Sequence, residues 1–203
     1  MYAWMLCIFL MLQYGAAPAS NPTSDAGSSS QTPTYTSEGR LEFPAKYREW
    51  IYLTSGVDMS YSPNAMAGHS MFDNVFVNPD SYRAFVETGR WPDKTMLVLE
   101  VRGAGTNASI NKSGHFQTPE LMGREVHVKD TARFPDGGWA FFGFDETTPS
   151  KQVPKEASCY SCHQQHAAVD TTFVQFYPTL IDIAKAKSTL SPAYLKEENQ
   201  AQK

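Results

Sequence analysis

The sequence predicts a single α+β domain dominated by antiparallel β-strands, and three observations carry that expectation. Short runs rich in β-branched and aromatic residues recur at Ile51–Thr54, Phe72–Val77, Thr95–Val101, Glu125–Lys129 and Trp139–Phe144. Turn-forming pieces such as Pro135-Asp136-Gly137-Gly138 separate them. Helix signals are few and do not alternate with the strands, so the pattern of a parallel sheet is missing.

The elements follow in chain order. The apolar run of residues 1–12, MYAWMLCIFLML, is too short to span a bilayer, and the small residues Gly15-Ala16-Ala17-Pro18-Ala19 behind it suit signal peptidase. Residues 1–19 are therefore expected to be an export signal, with a periplasmic or otherwise exported product and no membrane association beyond that segment. No Lys or Arg precedes the run, so an uncleaved anchor is the competing reading. Cys7 lies inside it, without the small neighbours that lipid attachment requires.

Residues 20–39 are rich in Ser, Thr, Pro and Gly and are expected to form a disordered linker. The folded domain is placed at residues 40–187. A helix is expected after Asn78, which can cap it: Pro79 suits its first turn, Tyr82, Phe85 and Val86 share a face, and Gly89 can end it. A second should follow Pro178, with Leu180, Ile181 and Ala184 on one stripe and Lys185 and Lys187 near its end. Residues 188–203 read as a polar tail, frayed from Glu197 onward.

A net charge of -4 without long Lys/Arg runs excludes the basic stripe that nucleic acid requires. The chemistry concentrates in Cys159-Tyr160-Ser161-Cys162-His163, which matches C-x-x-C-H, the attachment sequence of c-type haem. Two thiols three positions apart on a turn can add to the two vinyl groups along one porphyrin edge, and the following imidazole reaches the iron. The expected cofactor is one covalent haem c, bound by Cys159 and Cys162, with His163 as metal ligand.

A local disulfide, a zinc site and chance occurrence compete with that reading. A thioredoxin-type dithiol would want a βαβ context, and zinc finds only His166 as a further ligand nearby. His69, His115, His127, His166, Met71, Met96 and Met122 are candidate sixth ligands, although an ordinary surface or core role is the commoner one for each.

With these residues in view the chain resembles the cytochrome P-460 family, which includes hydroxylamine-oxidising cytochromes and the nitric-oxide-binding cytochromes c-prime-beta. The resemblance runs from about Leu41 to Leu180. It rests on Phe43-Pro44-Ala45-Lys46-Tyr47-Arg48-Glu49-Trp50, Val77-Asn78-Pro79-Asp80-Ser81-Tyr82, Gly89-Arg90-Trp91-Pro92-Asp93 and Val128-Lys129-Asp130. It continues through Arg133-Phe134, Trp139-Ala140-Phe141, the haem motif and Phe173-Val174-Gln175-Phe176-Tyr177-Pro178.

The resemblance implies a β-rich homodimer, a proximal His163, a distal pocket built on strands, a small nitrogen-oxide ligand and a redox partner not identified by the sequence. In the hydroxylamine-oxidising members a lysine just before the glutamate of the strand after the W-x-D turn is joined to the porphyrin. Here that position is Leu99, ahead of Glu100, which weakens the expectation of hydroxylamine oxidoreductase activity. Lys94 stands at the turn where the family usually has glycine. Glu125 matches the distal carboxylate of the oxidising members and is the candidate catalytic residue; the alternative is a solvent-facing strand residue. Leu97, Leu99 and Val101 should share one side of their strand, and Met96 the other. The expected activity is binding, with oxidation as a further possibility, of nitric oxide or hydroxylamine at an open site. A six-coordinate electron carrier is the alternative.

Overall fold

The computed structural model describes residues 31–59 and 70–201. The expected export signal, most of the linker and His69 lie outside the described residues.

Among the described residues five strands form one antiparallel sheet in the order β1-β2-β3-β4-β5, each pairing with its neighbour in sequence. They are β1 Ile51–Val57, β2 Met71–Val77, β3 Met96–Gly105, β4 Phe116–Lys129 and β5 Trp139–Phe144. The expected strands are all present, and β1, β3 and above all β4 extend further. The first half of β4 is largely exposed, so it lacks the in-out pattern that marks a half-buried strand.

Both faces of the sheet are covered. One face sends Met96, Val98, Val126, Val128, Ala140, Phe142 and Phe144 into an apolar layer with Leu41, Tyr47 and Trp50 from the segment before β1. The other packs Val77, Leu97 and Trp139 against Phe85 and Trp91 and, from the C-terminal third, Val169, Val174, Tyr177 and Leu180. Met96 and Leu97 thus diverge to opposite layers, as pleating requires.

Among the described residues four α-helices accompany the sheet: α1 Pro79–Thr88, α2 Ser158–His166, α3 Ile181–Ala186 and α4 Pro192–Ala201. Helix α1 ends at Gly89, whose φ of 72° is left-handed and whose N–H donates to the Phe85 carbonyl at 2.7 Å. Its start differs from expectation. The Asn78 side chain makes no cap; its Oδ1 accepts from the Met96 N–H at 2.9 Å and stitches the helix entrance to β3. Phe85 is buried, whereas Val86 is 40% exposed, so the two do not share a buried face.

Two boundaries also shift. Tyr35 bridges to Leu41 within the segment expected to be linker, so ordered chain begins before residue 40. Beyond residue 187, Pro192–Ala201 is helical rather than a frayed tail and packs on α2. The Ser191 hydroxyl explains why: it donates to the Ala167 carbonyl at 2.7 Å and accepts from the Tyr194 N–H at 3.1 Å. A serine cap followed by proline is a strong helix start.

Candidate haem site

Helix α2 carries the cysteine motif. Cys159, Cys162 and His163 stand at positions i, i+3 and i+4, which a helix places on one face. They occupy a helix rather than the expected turn, and all three line one cavity of about 610 Å³. That volume lies within the roughly 300–1,000 Å³ of cofactor and ligand sites. Both cysteines are free thiols. Burial pushes the Cys159 thiol up, offset in part by a backbone hydrogen bond at Tyr160, while the charge of Glu125 raises it further.

Tyr160 fastens the helix to the sheet. Its hydroxyl accepts from the Phe141 N–H at 3.2 Å and donates to the Val153 carbonyl at 3.1 Å, and its ring meets Phe141 edge-on. Ser161 donates to the Ser158 carbonyl.

His163 is oriented by its second nitrogen. Nδ1 lies 2.8 Å from the Thr171 carbonyl, which can only accept, so Nδ1 carries the proton and Nε2 keeps its lone pair for a metal. Burial lowers the pKa of His163, which favours this neutral form. Phe141 and Phe173 pack on the ring with centroids at 4.7 and 4.3 Å. The loop bearing Thr171 is held in turn by Trp91, whose Nε1 donates to Thr172 Oγ1 at 2.7 Å.

The facing wall belongs to the sheet. Thr54, Val75, Leu99 and Glu125 lie across β1 to β4 in successive pairings and all line the cavity. Leu97 and His127 form the neighbouring pair. Glu125 reaches the cavity while Val126 and Val128 turn to the opposite layer. The residue is exposed by surface area, yet protein around the carboxyl disfavours its charged form and raises its pKa.

The sequence reading missed Asp73 and Met59 and gave His127 no more than a place among the candidate sixth ligands. Asp73 comes from β2, in line with Val101 of β3. Burial first, then the charges of Asp58 and Glu125, raise its pKa. Met59 follows β1. His127 was only one of several candidate sixth ligands; its place two residues after Glu125 on the same strand was the signal that puts both on one face. It is buried, stacks on Phe141 with centroids 3.9 Å apart at 11°, and lies 5.3 Å from the His163 ring. Burial holds its pKa well below the ordinary imidazole value.

The other candidates lie elsewhere. Met96 is in the opposite core layer, Met122 is exposed, and neither they nor Met71 and His115 line the cavity. His166 pairs with Glu197 of α4, so it supplies no local fourth zinc ligand. Among the described residues no group of three or more His, Cys, Asp or Glu side chains is placed to hold a bare metal ion. Lys94 reaches Asp130 at 2.5 Å instead of the cavity, and its φ of 67° is the left-handed conformation that explains a family preference for glycine there.

The arrangement fits a porphyrin. Two neighbouring thiols and an imidazole with a free Nε2 open onto an apolar hollow with aromatic walls. These features define a β-sheet haem protein. Residues 44–174 match the family described as Cytochrome P460, and the chain belongs to that family of haem cytochromes. Comparison with the curated proteins returns no match.

Proposed function

We propose that the chain is an exported mono-haem c-type cytochrome whose open site binds a small nitrogen oxide. Cys159 and Cys162 would hold the haem through thioethers, and His163 would ligate iron through Nε2. A haem iron with a vacant position supplies reversible coordination of small ligands such as nitric oxide or hydroxylamine.

One observation supports the open site above all: the sheet wall facing the motif presents Val75 and Leu99, neither of which can ligate iron. Leu99 also lacks the amine for a porphyrin cross-link, which turns the reading toward binding rather than oxidation of hydroxylamine. Glu125 is suited to hold a proton beside the ligand. Export to the periplasm, a homodimer and an external redox partner belong to the same proposal.

An ultraviolet-visible spectrum of protein matured with c-type haem assembly tests it. The expected resting spectrum is high-spin and shifts on adding nitric oxide, and acid-acetone extraction leaves the colour on the polypeptide. A low-spin spectrum indifferent to nitric oxide overturns the open site.

A second reading, the six-coordinate electron carrier, has one observation in its favour. Met59 is the only methionine among the described residues that lines the cavity. A spectrum that changes from low-spin to high-spin in Met59→Leu would select that alternative.

A further inference from the structure

The enclosed carboxylates of this chain mostly carry a basic partner. Glu100 is held by Arg48 at 2.6 Å and Arg102 at 3.0 Å, Asp130 by Lys94 at 2.5 Å, and Asp170 by Lys129 at 3.0 Å. Asp73, half-buried, breaks the pattern, and it shares its cavity with Glu125, which is exposed. Asp73 and Glu125 form no ion pair and no hydrogen bond with any described residue.

The cavity does not balance them. Among the described lining residues there is no Lys or Arg. Lys155, whose charge is felt at His127, donates to the carbonyls of Asp136 and Trp139. Asp58 adds a further negative charge near Asp73, held by Ser70 Oγ and by the Met71 N–H at 2.8 Å.

The spacing keeps the two carboxylates from sharing one proton, although the charge of Glu125 is felt at Asp73. Asp73 stands on β2 in line with Val101, and Glu125 on β4 in line with Leu99, so strand β3 runs between them. Two strand spacings sideways and two residues along the strand put their backbones about 12 Å apart. A pair in contact would share one proton and present a single charge. A separated pair brings two negative charges to bear on whatever lies between them, in surroundings less polar than water.

We propose that Asp73 and Glu125 make the cavity a charge filter that rejects anionic ligands and admits neutral or protonated ones. The inference rests on the reading of this cavity as an open haem-ligand site. Asp73 is the added selectivity residue, and the ligands turned away are small anions such as azide and nitrite.

The test is a spectral titration of the ferric holoprotein at about pH 8, where ordinary carboxyls are ionised, with azide and nitric oxide as probes. In Asp73→Asn the ratio of azide to nitric oxide affinity should rise roughly tenfold, and it should rise again in Asp73→Asn with Glu125→Gln. Asp73→Glu should restore the low ratio. In the wild type, added salt should speed azide association, because it screens a repulsion. An azide association rate that is unchanged or slowed by salt overturns the filter, as does an unchanged ratio in the double variant. A wild-type protein that binds nitric oxide but whose azide affinity is no lower than that of the double variant defeats the filter alone. A wild-type protein that is low-spin and silent to nitric oxide defeats the open-site reading, and the filter with it.

Discussion

Leu99 and Glu125 are directly paired across β3 and β4, and both side chains face the cavity that holds the cysteine motif. One wall position is thus apolar and its neighbour acidic. Leu99→Ala should speed nitric oxide association by widening the apolar part, measurable by stopped-flow mixing. Truncating the side chain should also lower stability by about 2 kcal/mol. An association rate equal to that of the wild type would mean that Leu99 does not limit access.

His127 is sandwiched by Trp139 and Phe141 and bonds weakly to Thr171 Oγ1 at 3.3 Å. It is predicted to pack beneath His163 rather than to ligate iron. His127→Phe should keep the resting spectrum, whereas His127→Ala should lower the melting temperature, with a loss of about 3 kcal/mol as for other buried rings. A change of spin state in His127→Phe would make it a ligand instead.

Glu100 sits on the far side of β3 from Leu99, fully buried, taking hydrogen bonds from Tyr47, Arg48 and Arg102. Burial alone would raise its pKa, but Arg102, Tyr47 and Arg48 together outweigh it and hold the carboxyl below the usual range. The stability this supplies is present above the ordinary carboxylate pKa and is lost as pH falls through the depressed folded value. Glu100→Ala should cost about 3 kcal/mol at neutral pH in urea unfolding, and Glu100→Gln should flatten the acid limb. An acid limb identical to that of the wild type would place the proton uptake elsewhere.

Asp73 has the opposite sign. Its raised pKa means that the folded protein holds a proton the unfolded chain has released, so stability falls as pH rises from the ordinary carboxylate range through the folded value. Asp73→Asn should raise the melting temperature at neutral pH, and the gain should vanish below the ordinary carboxylate range. A gain that persists in acid would point to packing, not charge.

Much of this molecule was legible because strands announce themselves through residues such as those of Trp139–Phe144, whose apolar side chains serve two covered faces. The motif residues were legible because thiol and imidazole chemistry ties them to fixed spacing. Asp73 was not, since a lone carboxylate in Met71–Val77 reads as solvent-facing until the pairing partners are known. The α4 helix was missed for another reason: its weight lies in the Ser191-Pro192 start rather than in an apolar stripe, and its docking on α2 depends on tertiary contact. Phe116–Gly123 escaped because a strand exposed along both faces carries no periodic signal.

The hydrogen bond from Trp91 to Thr172 spans a sequence separation of 81 residues, whereas every strand pairs with its immediate successor. Hairpins between successive strands close early, because short loops lose little entropy, and long-range contacts follow. The order of assembly follows from that difference. The sheet can be complete while Cys159 and Cys162 remain outside it, within reach of whatever installs a cofactor. Seating Val169–Thr172 on Trp91 then brings the Thr171 carbonyl against His163, so the imidazole is fixed only once the sheet is in place.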